Sequence, residues 1–339
     1  MGKKTFVWLV AALLIGMIII GGCTSMQTAK VPDTPKYPDR PITVIVPFSA
    51  GGASDIVARA LEKNAIKYIG QPLAVVNKPG GGGAVGWNEL AASNPDGYTI
   101  GITGVEIILH PLYGPTKYNY LTALEPIAQV SNASWVMVVR ADQPWLEVED
   151  LVQYVKDNPA QIKFGHGGVG SITHVIGEKF AQAAGIGIEP VPFRGGAEAL
   201  VALLGGHVQV MFASPAVVKE HIKSGTIRAL AVAGEKRVND LAFKNVPTFK
   251  EKGLDVSYDI WLGIASPKEL PQEVRNTLAK GFASIISDPE FIKNMESIGM
   301  PVEYLNPKDS VSQWQKDNIK LSETVKETGI LDVIRAQKQ

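Results

Sequence analysis

The segment FGHGGVGSITH (residues 164–174) is the most informative about the fold, because it joins a short apolar run to a helical pattern through a glycine-rich loop. Gly165, Gly167 and Gly170 have the spacing G-x-G-x-x-G of dinucleotide-binding loops. The chain holds 34 glycines, and residues 81–86 match the same pattern, so the match carries little weight alone. The order of strand, glycine loop and helix start is more informative, since it is typical of an α/β fold.

Two further loops have the same order. They are PFSAGGASD (47–55) and NKPGGGGAVG (77–86), and each lies between a β-branched run and a helical pattern. After the first loop, Val57, Leu61, Ala65 and Tyr68 are spaced for one face of a helix. The repeated alternation predicts an α/β fold with mostly parallel strands.

The same alternation continues along the chain and resumes near residue 140. PIAQVS (126–131) and WVMVVRA (135–141) are predicted as separate strands. A second series of strands and helices then follows, including a strand at TIRALAVAG (226–234). Helical patterns cover 271–287 and 308–327 near the end.

The first 37 residues have the pattern of an export signal and a tether. A basic start precedes an uncharged apolar run of 16 residues, which is short for a membrane-spanning helix of about 20. Ile20-Gly21-Gly22-Cys23 resembles the lipobox of bacterial lipoproteins. We therefore expect a signal peptide over 1–22, lipidation of Cys23 and a flexible tether over 23–37. This places the protein outside the cytoplasm, anchored by lipid in the periplasm or on the outer face of the cell membrane.

Composition excludes several function classes. The whole chain has no net formal charge and no basic stripe, so nucleic acid is not expected as a partner. Cys23 is the single cysteine, which excludes an intramolecular disulfide and a thiolate cluster. The five histidines contain no H-x-x-x-H pair, and we expect neither a metal nor a cofactor.

The glycine loops favour an anion as ligand. Glycine lets the backbone approach a ligand closely, and the free N–H groups of a helix start carry partial positive charge. The competing interpretation of each glycine is a tight turn or a helix cap, with Ser54 or Ser171 as the capping residue. In open α/β sheets, ligands lie beyond the carboxyl ends of the strands. Two such units facing each other would hold an anion between them.

Enzyme interpretations have weaker support. Glu189 follows the fingerprint at the distance of a ribose-binding acid, but a nicotinamide cofactor outside the cytoplasm is not expected. No G-x-S-x-G elbow is present, and Ser171 with His174 fits a helix cap and a packed histidine. Arg194 is either a partner for a carboxylate or a solvated residue of a turn. The tryptophans at 87, 135 and 261 either line a cleft or pack in the core.

The chain resembles a known family in a series of ordered motifs over about residues 38–335. In chain order they are VIVPFSAGGASDIVAR, VVNKPGGGGAVG, NPDGYTIGI, EPIAQV, GVGSITHVIGEKF, PVPFRGGAEALVALLGGHVQVMF, GTIRALAVAGEKR, NVPTFKEKG and WLGIASP. They are similar to the substrate-binding proteins of tripartite tricarboxylate transporters, the TctC or Bug family. The resemblance rests on the whole series and not on one glycine string.

The resemblance implies a two-lobed α/β fold of the periplasmic-binding-protein (Venus flytrap) type, in which the chain crosses twice between the lobes. Lobe 1 is expected over 38–138 and 262–335, and lobe 2 over 139–261, with a hinge near Val139 and Trp261. It implies a monomeric receptor, not an enzyme, that closes around a small organic carboxylate: a di- or tricarboxylate, an amino acid or an aromatic acid. Its partners would be a large and a small membrane permease subunit driven by an ion gradient.

The family's ligand-binding positions carry over onto matching residues of this sequence. In that family, backbone N–H groups, small hydroxyls and water hold the ligand carboxylate. The matching positions of the first lobe are Phe48, Ser49, Gly51, Gly52, Ser54 and Asp55, with Thr103 and Gly104 at a strand end. Those of the second lobe are Gly168, Gly170, Ser171, His174, Phe193, Arg194 and Gly195, with Ala213 and Ser214 at a strand end.

Several motifs depart from the family's commoner forms, including Phe193-Arg194-Gly195 where Tyr-Lys-Gly is more frequent. The identity of the acid therefore stays open. A secreted hydrolase and a ligand-sensing module that serves a signalling receptor also remain as alternatives. The mature chain is slightly acidic, so we expect local donors, and not bulk charge, to hold an anion.

Overall fold

The computed structural model describes residues 37–327 together with 331, 332 and 334. The predicted signal peptide, Cys23 and nearly all of the tether lie outside the described residues. The strands of this part of the chain are β1 (Ile42–Val46), β2 (Leu73–Asn77), β3 (Thr99–Gly104), β4 (Leu124–Arg140), β5 (Lys163–His166), β6 (Glu189–Pro192), β7 (Val210–Ala213), β8 (Ile227–Ala233), β9 (Asp259–Pro267) and β10 (Val302–Leu305).

Helices alternate with these strands over most of the described chain. They are α1 (Ala53–Ile69), α2 (Ala84–Ala91), α3 (Glu106–Leu112), α4 (Tyr120–Ala123), α5 (Val148–Asp157), α6 (Ile172–Ala184), α7 (Gly196–Leu204), α8 (Pro215–Lys223), α9 (Gln272–Ile286), α10 (Pro289–Ser297) and α11 (Pro307–Glu327). Short 3₁₀ turns cover Gly81–Gly83, Leu241–Phe243 and Lys250–Lys252. The predicted α/β class is confirmed.

The strands lie in the order β2-β1-β3-β9-β4-β7-β5-β6, and β8 and β10 both pair with β4. Strands β1, β2 and β3 are parallel to one another, as are β5, β6 and β7. Every pairing of β4 and β9 is antiparallel. The expectation of mostly parallel strands therefore holds for the group β1, β2 and β3 and for the group β5, β6 and β7. It is wrong for β4 and β9, which lie between these groups.

Strand β4 differs most from the sequence prediction. Residues predicted as two strands form one continuous strand of 17 residues. Up to Ser134 it pairs with β9, and from Trp135 onward it pairs with β7 and β8. Ser131, Asn132 and Ala133, which read as a break in the sequence, keep their pairing with β9. One strand thus belongs to both groups of strands.

Helix α1 illustrates why the amphipathic segments fold as predicted. Val57, Leu61 and Ala65 are buried against the first group of strands, as their spacing indicates. Tyr68 lies half-buried at the edge of this face, and its hydroxyl donates a hydrogen bond to Asp288 at 2.6 Å. Gly70 ends the helix with a φ of 85°, a left-handed conformation that glycine adopts without strain.

Candidate functional site

The carboxyl ends of β1, β3, β5, β6 and β7 meet at one cleft, together with the starts of the helices that follow. The space between its walls is about 550 Å³, part of it open to solvent. The residues that line it are Phe48, Gly52, Ala53, Ser54, Glu106, Trp135, Gly167, Ser171, Thr173, Gly196, Ala213, Ser214, Val217, Ile260 and Leu262. Of the residues predicted for the site, six are in this group: Phe48, Gly52, Ser54, Ser171, Ala213 and Ser214.

Two helix starts face each other across the cleft. A β-carbon placed on Gly52 would lie 3.9 Å from the Gly196 nitrogen and 4.0 Å from the Ala197 nitrogen. The backbone ladder of α1 begins with Ile56 donating to Gly52 O, and that of α7 begins with Ala199 donating to Gly195 O. The N–H groups that precede these bonds have no partner within their helices, so both helices direct free donors toward the same space.

Asp55 holds the loop at the start of α1. Its carboxylate accepts hydrogen bonds from the Gly51 N–H at 2.9 Å, from Arg59 at 2.9 Å and from Asn77 at 3.0 Å. Burial alone would raise the pKa of Asp55, but these three donors outweigh it and hold the pKa below its usual value. Asp55 is not one of the residues that line the cleft, and both of its carboxylate oxygens already accept hydrogen bonds from Gly51, Arg59 and Asn77. It acts as a positioning residue.

The loop 48–52 packs against the loop that precedes α7. The Ser49 N–H donates to the Arg194 carbonyl at 3.1 Å, and a β-carbon on Gly195 would lie 2.6 Å from Ser49 Oγ. Gly195, at φ 157°, therefore leaves the room that lets the two loops touch. The side chain of Arg194 is exposed and is not among the residues that line the cleft.

The start of α6 supplies hydroxyl groups. Ser171 caps this helix by accepting from the His174 N–H, and its Oγ lies 3.0 Å from Thr173 Oγ1. The Thr173 hydroxyl also accepts from the Gly167 N–H at 2.9 Å. At α8, Ser214 caps the helix and donates from Oγ to Met300 Sδ at 3.0 Å. These hydroxyls are thus oriented by hydrogen bonds within the helix starts and by Gly167 and Met300 outside them.

Gly168, Gly170 and His174 lie behind the cleft wall. A β-carbon on Gly168 would lie 2.8 Å from the Gly82 nitrogen, and one on Gly170 would lie 2.9 Å from the Tyr113 ring. His174 is fully buried, and its Nδ1 accepts from the Gly170 N–H at 3.2 Å. These residues shape the loop before α6 rather than line the cleft.

His174 stacks on a second buried histidine, His166, with ring centroids 4.3 Å apart. His166 Nδ1 lies 3.0 Å from the Gly168 carbonyl, which can only accept, so Nδ1 carries the proton. Burial and the neighbouring His174 lower the pKa of His166 to about 3, so the ring is neutral at neutral pH.

Thr103 and Gly104 end strand β3 close to Glu106, which no sequence motif indicated. Glu106, the first residue of α3, is 5% exposed and lines the cleft. Its Oε1 accepts from the Ile172 N–H at 3.4 Å, and its Oε2 lies 2.7 Å from where a β-carbon of Gly104 would be. Burial raises the pKa of Glu106 to about 7, against the opposing effect of backbone donors.

Trp135, Ile260 and Leu262 form an apolar wall of the cleft. The other two tryptophans considered from the sequence lie elsewhere. Trp87 is buried beneath Phe48 and donates to Ile102 O at 3.0 Å, and Trp261 donates to Asp317 at 2.8 Å and stacks on Trp314. Of the three tryptophans considered from the sequence, Trp135 is the one that lines the cleft.

The chain matches the model of the tripartite tricarboxylate transporter family receptor over residues 57–330. It is also 30% identical to a UPF0065 protein from the gbd 5' region of Cupriavidus necator, over 86% of this chain and 88% of that protein.

The chain belongs to the tripartite tricarboxylate transporter receptor family. This is a family of solute-binding receptors, as the ordered motifs predicted.

Two solved structures give the same picture of the fold. The periplasmic binding protein BugD is 32% identical and has a TM-score of 0.83, over 86% of this chain and 99% of that one. A protein of R. palustris, Rpa4515, solved with adipate, is 26% identical and has a TM-score of 0.82, over 86% and 98% of the two chains. The fold is that of the periplasmic binding proteins of this family. Among the described residues, no helix combines the length and apolar character needed to cross a bilayer.

Proposed function

We propose that this chain is an extracytoplasmic receptor that binds a small organic carboxylate in the cleft and delivers it, unchanged, to a tripartite membrane permease. The observation that carries the proposal is the pair of helix starts at Gly52 and Gly196, which direct backbone donors into one space. Family membership supports the transport role. The similarity to the adipate-bound protein of R. palustris supports a carboxylate as the ligand class.

The proposed affinity comes from backbone donors. Micromolar binding requires about −8 kcal/mol, and a hydrogen bond to a charged group contributes about 1.5–3 kcal/mol. About four to six donors from the facing helix starts meet this requirement after the ordering losses of binding. Lysine, arginine and histidine are absent from the described residues that line the cleft, so no side-chain cation is needed in this scheme.

Calorimetry with mono-, di- and tricarboxylates, amino acids, aromatic acids and NAD tests the ligand class. We expect binding of at least one carboxylate at micromolar concentration, and no chemical change in it after incubation. Binding of NAD alone, or turnover of any ligand, would contradict a receptor for carboxylates.

Closure of two lobes, with the boundaries expected from the sequence, belongs to the same proposal. A ligand that binds the closed state better shifts the equilibrium toward it. Small-angle scattering should therefore give a smaller radius of gyration with a saturating carboxylate than without one. An unchanged radius under saturation would argue against closure.

We also propose that Cys23 carries the lipid anchor. In cells, Cys23→Ser should lose membrane attachment or fail in processing, whereas Ser25→Ala should behave as the wild type. Retention of the processed Cys23→Ser protein in the membrane fraction would contradict the lipid anchor.

A further inference from the structure

Glu106 is the only ionisable side chain among the described residues that line the cleft. It is 5% exposed, and its one hydrogen bond to another element of the chain is the 3.4 Å bond from the Ile172 N–H. A carboxyl group buried in this way is stable in one of two forms. It keeps its proton, or it ionises opposite a cation.

Among the described residues that line the cleft, none is a lysine, an arginine or a histidine. The part of the lining near Gly104 is apolar. Leu262 lies beside Gly104, and Ile260 belongs to the same wall of the cleft. Glu106 acts on the nearby Tyr113, whose pKa is raised well above its usual value by burial and by the charge of Glu106. Tyr258 has its pKa raised to about 12 by burial, so both phenols stay neutral at physiological pH.

The Ile172 N–H belongs to the first turn of α6, where the helix dipole favours negative charge. The ionised form of Glu106 is therefore favoured once a cation reaches the cleft. Since the described residues that line the cleft include no cation, a positively charged group of the ligand is the partner that fits Glu106.

We propose that the cleft is built for an amino acid, whose carboxylate is held by the facing helix starts and whose ammonium group is held by Glu106. This inference rests on the proposed function, because it assigns the second charge of the same ligand. The inference narrows the ligand class, because a dicarboxylate would bring a second negative charge toward Glu106, the one ionisable side chain among the described residues that line the cleft.

The rest of the wall indicates the side chain of the amino acid. Trp135, Val217, Ile260 and Leu262 present apolar surface to the cleft, and no further charged group lines it among the described residues. An uncharged, apolar side chain buries this surface without leaving a charge unpaired. We therefore expect neutral amino acids to bind more tightly than acidic or basic ones.

Calorimetry tests the proposal with the twenty protein amino acids, with adipate and citrate, and with the deaminated acid of each amino acid that binds. For leucine, for example, that acid is 4-methylpentanoate. We expect a neutral amino acid to bind at least tenfold more tightly than its deaminated acid and than adipate. Equal or tighter binding of adipate, citrate or the deaminated acid would overturn the proposal and leave the carboxylate receptor intact. No binding by any acid would overturn both.

Glu106→Gln, which keeps the shape of the side chain, is the decisive variant. It should lose at least tenfold in affinity for the amino acid and change affinity for the deaminated acid by less than threefold. Thermal unfolding of Glu106→Gln without ligand checks that the variant is folded. Unchanged affinity for the amino acid in a folded Glu106→Gln protein would overturn the proposal.

The pH dependence supplies an independent readout. Because the pKa of Glu106 is raised to about 7, amino-acid binding should weaken as pH falls from 8 to 5.5 in the wild type. His110 and His174 are the other titratable neighbours on α3 and α6, and both remain in Glu106→Gln. A wild-type slope that disappears in Glu106→Gln supports the proposal. Stronger binding at low pH would mean that protonated Glu106 donates to a second carboxylate, and would overturn it.

Discussion

The Gly51 N–H donates a hydrogen bond to Asp55 Oδ2 at 2.9 Å, so that an acid in the first turn of α1 fixes the loop in front of its own helix. The same oxygen accepts from Arg59, and Asn77 links the other oxygen to the Phe48 carbonyl. An acid near an anion site would be expected to repel the ligand. Here its charge is matched by donors behind the loop, and the backbone donors of the helix start remain directed into the cleft.

The first prediction concerns this carboxylate. Asp55→Asn should lower the free energy of unfolding at pH 7 by about 1–3 kcal/mol, because buried donors lose a charged acceptor. The folded-state pKa of Asp55 lies below its usual value, so its contribution is complete above about pH 4 and is lost as pH falls below that. Urea unfolding at pH 7 and pH 3 should give a difference from wild type that shrinks at pH 3. Lys63→Gln, at an exposed position of the same helix, is the control.

The second prediction concerns the space between the helix starts. Gly52 has a φ of −79°, which any residue adopts, and its missing side chain would lie 3.9 Å from the Gly196 nitrogen. Gly52→Val should therefore abolish carboxylate binding in calorimetry and leave the circular dichroism spectrum unchanged. Gly187→Val, where the side chain meets open space, should bind as the wild type does. Full affinity in folded Gly52→Val would place the anion elsewhere.

The third prediction concerns Gly170 and tests whether its role is structural. From the family resemblance it belongs to the ligand cradle, whereas its φ of 83° and the Tyr113 ring, 2.9 Å from where a β-carbon would lie, indicate a structural role. Gly170→Ala should lower the free energy of unfolding by about 1–3 kcal/mol through backbone strain and crowding. Urea unfolding measures this directly, and Gly187→Ala is the unstrained control. A stability equal to wild type would show that the loop relaxes without cost.

The fourth prediction concerns Arg194. Its side chain is exposed and does not line the cleft, whereas its carbonyl accepts from the Ser49 N–H. Arg194→Ala keeps the carbonyl, so we expect less than a twofold change in affinity for mono- and dicarboxylates alike. Calorimetry on Arg194→Ala and Gly52→Val in parallel decides whether affinity comes from the backbone donors of the helix starts or from a salt bridge to Arg194. A loss of more than tenfold in Arg194→Ala would indicate a salt bridge to the ligand.

The fifth prediction concerns the buried histidine pair. The pKa of His166 is lowered to about 3 when folded, against about 6.5 when unfolded. The unfolded chain therefore binds one more proton between these values, and stability is complete above about pH 6.5 and falls as pH decreases. His166 should contribute a slope of up to about 1.4 kcal/mol per pH unit near pH 5.

Urea unfolding between pH 7 and pH 5 measures that slope. His166→Gln should flatten it, whereas the exposed His207→Gln should leave it almost unchanged. The slope, and not the absolute stability, is the informative quantity, because His166→Gln also changes the bond to the Gly168 carbonyl. An equal slope in wild type and His166→Gln would show that this ring titrates normally.

Regular patterns made much of the fold predictable from the sequence. The spacing of Val57, Leu61 and Ala65 and the glycine loops before α1 and α6 correctly indicated helices, strands and their order. Strand β4 was predicted in two pieces because polar Ser131 and Asn132 interrupt its apolar pattern, whereas cross-strand pairing with β9 keeps it continuous. That pairing joins residues far apart in the chain, so the local sequence around Ser131 does not indicate it.

The site was predictable at its helix starts and less so at its walls. Gly52, Ser54 and Ser171 were predicted from the family resemblance, and they line the cleft at helix starts, which favour anions whatever their side chains are. Glu106 was missed because α3 is a single short helix that contains Pro111, and its sequence does not read as a helix start. Its place after the end of β3 was the available signal. Trp135 reaches the cleft through the course of β4, which the sequence alone does not give.

Continuous strand β4 also limits how this receptor can be engineered. Because the same 17 residues complete the sheet on both sides of Ser134, cutting the chain there would leave each half with a truncated strand and unpaired edge groups. Separate expression of the two halves, or exchange of one half between relatives, should therefore yield aggregating fragments. A circular permutation opened at the exposed loop around Gly187 keeps β4 whole, and it is the kind of rearrangement that this chain should tolerate.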